Sequence, residues 1–488
     1  MMNKLIRKRL HPLWIAFEIL NTLREIIVPA VIFFLINLSS ESIWVKFGLI
    51  AIIIYLIYKI IVTFFEWKNY TYLLASDHIE IVEGRFITKK RYISFNRIQG
   101  YEQHTSFFHR LFRLTAVIIK TGSSGEDAVV KLEMIGKHEA EKIVHILKQY
   151  ENMNTSTEIS STDEPNINKH YEISCKEIVL ISISSLYFLA VIPVILSFYS
   201  KIAEFFTMNE WLLNIYEELR QSFFHIIVTS IILLIILIIA GILLTYIRLG
   251  KYIVSSDHHN IYISKGILNT TNYTIPRNKI NGLVIKKTFP RRLFHIVRVE
   301  LVSLGDSLSE ENVDTDTLFP FISEKRLKNL LNEVIPEYRI AENLHSLPKE
   351  AYFVNLIQPS YSLVIVTFFV FFFWPEYWFI PLAFFLWLVF YRILKTKLTK
   401  FYRDEEQIFL QSGVMTTEIF ITNCEKIDEF TIEQSWLERK LHLATLDVSI
   451  RAKPIYSMKV EHLQLEDAND CLEWYQNKII ENSKRMTE

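Results

Sequence analysis

The sequence is poor in the residues that usually announce chemistry. Of its 488 residues only 12 are glycine and three are cysteine. Cys175, Cys424 and Cys471 are scattered, with no CxxC pair and no even set. That excludes a disulfide framework and fits a reduced compartment or simple burial. Neither sign of charge is in excess, since 53 Lys and Arg balance 53 Asp and Glu. No bulk electrostatic pull toward nucleic acid follows, and nucleic acid is not expected as a partner. No GxSxG, Walker A, GxGxxG or HExxH pattern occurs. His109 and the pair His258-His259 lack companions at metal-ligand spacing. The acidic insertion Asp306, Glu310, Glu311, Asp314 and Asp316 lacks the glycine and spacing of an EF-hand loop. The residues therefore assign no catalytic, cofactor-binding or metal-binding site, and a protein that is not an enzyme is expected. Lys4, Arg7, Lys8 and Arg9 precede an apolar stretch with no small-residue cleavage site, so no cleavable signal is expected.

What the chain does have is a threefold repeat. Gly84, Gly266 and Gly413 serve as its origin. Five residues earlier stand Ile79, Ile261 and Ile408, and three earlier Ile81, Ile263 and Leu410. Thirteen residues later comes a base, Arg97, Lys279 or Lys426, followed each time by isoleucine. At plus 23 is an aromatic (Phe107, Phe289, Trp436) and at plus 26 an arginine (Arg110, Arg292, Arg439). Leu114, Val117 and Ile119 match Ile296, Val299 and Leu301, and then Leu443, Leu446 and Val448. Such a repeat decides the architecture. The alternation of Ile79, Ile81, Val117 and Ile119 predicts strands, and Ala140, Ile143, Val144 and Leu147 predict a closing helix.

Half of the residues are apolar, and apolar stretches precede each copy. They predict spans over 13–38 (cleanest from Ile26 to Leu38), 44–67, 178–198, 223–247, 359–374 and 378–394. The organisation expected is a transmembrane hairpin over 1–67, a module over 68–150 and a linker over 151–177. A second hairpin covers 178–247, with an amphipathic surface helix inside 199–222, and a module follows over 248–335. A connector covers 336–357, a third hairpin 358–394, a third module 395–480 and a tail 481–488. The fold class is thus membrane α-helical hairpins plus α+β, with six spans and three modules, each a sheet or barrel with a C-terminal helix. Bases flank the spans on the module side (Arg7, Lys8, Arg9, Lys68, Lys176, Arg248, Lys251, Lys395, Lys397), while the opposite loops are acidic. By the positive-inside rule all three modules face the cytoplasm of a plasma-membrane protein.

Two motifs are candidates for ligand binding. The aromatic-x-x-Arg pair would bind phosphate or lipid headgroups, or be a short helical turn with the aromatic in the core and the arginine at the membrane face or on a backbone carbonyl. Triplication favours the second. Lys89-Lys90-Arg91 would sit in a strand–strand turn, where a solvated turn is favoured over headgroup binding.

From Tyr72 to Gly122 the sequence carries Tyr-x-x-x-x-Asp-x-Ile-x-Ile-x-x-Gly, then Arg-Ile-Gln, then Ser-Phe-x-x-Arg-Leu-Phe-x-Leu-x-x-Val-x-Ile-x-Thr-Gly. This resembles the second type of bacterial pleckstrin-homology-like domain. Three copies behind hairpins resemble the YdbT-like membrane proteins of Gram-positive bacteria. The other copies have Lys279-Ile280-Asn281 and Lys426-Ile427-Asp428 for Arg-Ile-Gln, and Phe112, Phe294 and His442 replace a glycine usual in the family. The resemblance implies a strongly bent sheet or barrel with a C-terminal helix in each module, no catalytic residue and a shorter one-domain relative as companion; the apolar spans make membrane lipids the other expected partners. The function expected is a membrane scaffold serving envelope maintenance or resistance to membrane-active agents, with a transporter or lipid-handling protein as the alternative.

Overall fold

The computed structural model describes residues 7–36, 43–75, 77–85, 87–121, 129–155, 168–185, 223–303, 317–341, 344–452 and 455–485. The expected surface helix in 199–222, most of the span 178–198 and the acidic insertion lie outside the described residues. The chain forms two compact units. One comprises Met1–Asn166, Glu172–Ile253 and Ile263–Thr274, the other Ile167–Tyr171, Val254–Tyr262 and Ile275–Glu488.

Each repeat folds into six strands in the same order. The first strands are Thr71–Leu74, Ile253–Ser256 and Lys400–Arg403. The second are His78–Glu83, Asn260–Lys265 and Gln407–Ser412, and the third Lys89–Ser94, Thr270–Pro276 and Thr416–Asn423. The repeat's glycine turns the second strand into the third. Gly84, Gly266 and Gly413 have φ of 131°, 95° and 105°, a region closed to most L side chains. A Cβ there would meet the carbonyl oxygen three residues on at 2.0, 1.9 and 2.0 Å. A 3₁₀ turn follows (Phe95–Arg97, Arg277–Lys279, Cys424–Lys426), ending on the repeated base. The isoleucine after it is buried and opens the fourth strand: Ile98–Thr105, Ile280–Thr288 or Ile427–Glu433. A short helix (Phe107–Leu111, Phe289–Leu293, Trp436–Lys440) leads to the fifth strands, Leu114–Thr121, Ile296–Ser303 and Leu443–Ile450. The sixth are Val129–Gly136, Thr317–Ser323 and Tyr456–Gln464, and the closing helices Lys137–Thr155, Glu324–Val334 and Leu465–Arg485.

Alternation puts one face of these strands inside. Ile79, Ile81, Val117, Ile119 and Leu132 pack with Ala140, Ile143 and Leu147 of the first closing helix. Leu410, Leu446, Val448 and Val460 pack with Ala468 and Cys471 of the third. Each such side chain contributes about 1.5–3 kcal/mol on burial. Burial also pushes the Cys424 and Cys471 thiols up to about 11, so both remain protonated packing groups.

Among the described residues no module closes into a barrel, contrary to one form of the expectation. In the first two repeats the fourth strand pairs instead with the third strand of the next repeat. In the first unit Ile98–Thr105 pairs antiparallel with Thr270–Pro276, from Tyr101↔Thr274 to Thr105↔Thr270. In the second unit Ile280–Thr288 pairs with Thr416–Asn423, from Leu283↔Ile421 to Thr288↔Thr416. This second junction lies in a seven-stranded sheet with sixth, fifth and fourth strands from the middle repeat and third, second and first strands from the last. Pairing outward satisfies the ladder groups that a barrel would satisfy by closing on itself.

Among the described residues three helical stretches are long and apolar enough to cross a bilayer: Ile50–Asn69, Lys349–Phe373 and Pro375–Leu398. Leu234–Leu249, within the helix Phe223–Leu249, is apolar but shorter. Three of the six expected spans are thus found. The last arm exceeds its expected length, because the helix Phe379–Leu398 has 20 residues, about 30 Å at 1.5 Å each. The segments flanking each expected hairpin are bonded together. Lys8–Arg9 adds a strand beside Thr71–Tyr72, Ile173 N donates to the Tyr252 carbonyl at 3.0 Å, and His345–Ser346 pairs with Phe401–Lys400. Trp67 Nε1 donates to the Leu10 carbonyl at 3.0 Å, and buried Asn355 bonds Thr396 at 2.9 Å across the third hairpin. The segments flanking each expected hairpin therefore meet at one edge of a sheet.

Candidate interaction surface

The chemistry concentrates at the junctions. Counted from each repeat's glycine, paired positions have offsets that sum to 25 at both. Offset 17 faces offset 8, giving Tyr101↔Thr274 and Leu283↔Ile421, all buried. Offset 20 faces offset 5. His104 Nδ1 lies 3.0 Å from Thr271 Oγ1 at the first junction, and Lys286 Nζ 3.6 Å from Glu418 at the second.

The aromatic-x-x-Arg motif belongs to the same surface. Arg110 Nη2 donates to the Ile267 carbonyl at 3.1 Å, and Arg292 Nη2 to the Val414 carbonyl at 2.7 Å. Both acceptors directly follow the glycine of the next repeat. Arg292 also donates to Thr417 Oγ1 at 2.6 Å. The backbone N–H of Phe107 donates to Asn269 Oδ1 at 3.2 Å, and that of Phe289 to the Met415 carbonyl at 2.8 Å. The arginine thus meets a backbone carbonyl as expected, but one of the following module. Sequence reasoning missed Thr417, although Thr88, Thr270 and Thr417 share offset 4 and could have flagged it.

The aromatic departs from expectation. Phe107, Phe289 and Trp436 are 55%, 64% and 69% exposed, not in the core. With Phe108, Leu111, Phe112, Leu293 and Phe294 they make apolar tips on the short helices. Behind them, position 25 of every repeat is a buried polar residue: His109, Arg291 and Glu438. His109 bonds Ser106 and lies edge-on to Phe17 of the helix Leu13–Ile36, ring centroids 5.1 Å apart. Burial, and then the neighbouring His104, push its pKa down to about 4, so it is neutral at physiological pH. Burial would raise Glu438. Donors from the Ser435 backbone and hydroxyl, from Thr445 at 2.8 Å and from His462 at 2.9 Å outweigh it and hold the carboxyl below its usual range. Left-handed backbone after the short helix falls on Arg113, His295 and His442, with φ of 57°, 53° and 54°. The family's glycine would fit there. The first two lie one residue beyond the positions expected for it.

Lys89-Lys90-Arg91 lies in the third strand of the first repeat, not in a turn. Lys90 pairs with Glu80 at 2.9 Å and Arg91 with Glu83 at 3.1 Å. Among the described residues no group of three His, Cys, Asp or Glu is gathered to hold a metal ion.

The repeat of strands, turn glycine, short helix and closing helix agrees with comparison to known proteins. The family model of the bacterial PH domain matches residues 26–151, 189–337 and 354–479. The chain belongs to the bacterial PH domain family. Its three PH modules extend beyond the matched segments to the short strands before the hairpins, Lys8–Arg9 and His345–Ser346. The chain is 28% identical over 495 aligned positions to the UPF0699 transmembrane protein YdbT of Bacillus subtilis (strain 168), covering 96% of this chain and 98% of that protein. No solved structure matches the chain.

Proposed function

We propose that the protein is a multi-pass plasma-membrane scaffold with six spans, presenting three PH modules at the cytoplasmic face without catalysing a reaction. The observation that carries this reading is the bonding of each hairpin's two flanks at one sheet edge. A chain that leaves and re-enters at the same edge three times returns each module to one side of the bilayer, and the bases beside the spans make that side cytoplasmic. The apolar tips Phe107, Phe108, Leu111 and Phe112, on the short helix whose His109 meets Phe17, suit seating on lipid at the interface. A role in envelope maintenance or in resistance to membrane-active agents fits such a scaffold, and a shorter one-module relative is a fitting companion.

Cysteines placed at Lys137, Lys325 and Lys478 should react with a membrane-impermeant maleimide only after cell lysis. Labelling of any one in intact cells contradicts the orientation. Crosslinking in native membranes should link module residues to other envelope proteins, and a chain linked to none contradicts the scaffold.

A further inference from the structure

We infer that the chain assembles head to tail, the outer edge of Lys89–Ser94 in one molecule pairing with the outer edge of Ile427–Glu433 in a second copy. Inside the chain every third strand that has a preceding repeat pairs with that repeat's fourth strand. Two such edges remain at the ends of the array. Lys89–Ser94 is the outermost strand of its four-stranded sheet, and Ile427–Glu433 of its three-stranded sheet, among the described residues. They are the same two strand types that join at both junctions.

Carrying the shared register across gives definite pairs. Tyr92 faces Phe430, Arg91 faces Thr431, Lys90 faces Ile432 and Lys89 faces Glu433. The Tyr92–Phe430 position is buried at both internal junctions, yet here Tyr92 is 61% exposed and Phe430 half-buried. Lys89–Glu433 occupies the position of Lys286–Glu418 with its polarity reversed. Hence the basic edge would meet lysine if it added to Ile280–Thr288, and the acidic edge would meet glutamate if it added to Thr416–Asn423. Opposite charges fit at the two open ends, and like charges would reject either end at the strands of the second junction. The strand Lys89–Ser94 carries three bases, and Ile427–Glu433 carries Asp428, Glu429 and Glu433.

The third arginine completes the pattern. Arg439 is exposed, and its counterparts reach the carbonyl after the next glycine and, for Arg292, the threonine at offset 4. In a second copy those groups are the Arg85 carbonyl and Thr88. One position departs. Glu429 stands where Gly100 and Gly282 let the next strand's carbonyl approach an added Cβ to 3.0 and 3.1 Å. The open edge must therefore relax by a few tenths of an ångström there. The contact joins unlike surfaces, so it propagates from copy to copy. It goes beyond the scaffold reading and does not depend on any envelope partner.

The test is a full-length chain with Cys175→Ser, Tyr92→Cys and Phe430→Cys, oxidised in native membranes. Directly opposed strand residues lie within disulfide reach. A ladder of covalent dimers, trimers and larger species is expected, while each single-cysteine variant gives at most dimers. Adding Lys89→Glu should slow the ladder about tenfold, the size of a roughly 1.4 kcal/mol change, and Lys89→Glu with Glu433→Lys should restore it. Glu429→Gly should speed it. Absence of the ladder, failure of the charge exchange to rescue it, or capture of a different, one-module protein by the thiol of Tyr92→Cys in its place would overturn self-pairing.

Discussion

At the first junction the facing residues are mixed and partly polar: Tyr101 on Thr274, His104 on Thr271, and one arginine bond from Arg110. At the second they are Leu283 on Ile421, an ion pair between Lys286 and Glu418, and a doubly bonded Arg292. The register is the same. Backbone geometry, fixed by the turn glycine and the short helix, therefore sets how modules join, and side chains set how firmly and to which neighbour.

The two junctions should respond differently to substitution. Leu283→Ala removes a fully buried side chain and should cost about 2–5 kcal/mol, whereas Thr274→Ala should cost about 1 kcal/mol or less. Denaturant unfolding of the full chain in detergent measures both, and equal losses would erase the distinction. Arg292→Ala should cost about 1.5–3 kcal/mol as two charge-assisted bonds go. Arg110→Ala, with one exposed bond, should cost about 0.5–1 kcal/mol. The left-handed residue His442 offers the opposite sign. His442→Gly should stabilise by about 1 kcal/mol, read as a higher melting temperature.

Acid should weaken the first module through His109. Its folded pKa of about 4 lies below the unfolded value near 6.5, so the unfolded chain takes up the proton first. That contribution is intact above about pH 6.5 and declines as pH falls toward 4. Thermal melts from pH 7 to 5 should show the decline, and His109→Gln should flatten it. Glu438 acts in a lower window, since a depressed carboxyl loses its contribution only as pH falls below the unfolded value of 4.5. A similarly small effect is expected from exchanging Lys286 and Glu418. Reversing Glu418 should destabilise by about 0.5–1 kcal/mol, and because Lys286 also pairs with Glu300 at 2.8 Å the double exchange should recover only part of it, as a double-mutant cycle would show.

Much of this architecture was legible in the residues. Gly84, Gly266 and Gly413 announced the turn because only glycine fits it, and Ile79, Ile81, Val117 and Ile119 announced strands because burial has period two. The edge strands Lys8–Arg9 and His345–Ser346 were not legible, since two residues carry no period. Nor was the outward pairing of the fourth strand, because inward and outward pairing bury the same face and leave the same alternation. The arginine's acceptor was hidden for another reason: a backbone carbonyl has no residue type. The exposed Phe107, Phe289 and Trp436 looked like core because aromatic residues at membrane interfaces and in cores read alike in a sequence.

The claim that one register joins successive modules is tested most directly by disulfide trapping at offsets 20 and 5. His104→Cys with Thr271→Cys, and Lys286→Cys with Glu418→Cys, should each form an intramolecular bridge in the folded full-length chain, identified by mass spectrometry. Moving one cysteine of either pair by a residue should abolish it. Bridging that is absent at both pairs, or equally fast in the shifted pairs, would contradict the shared register.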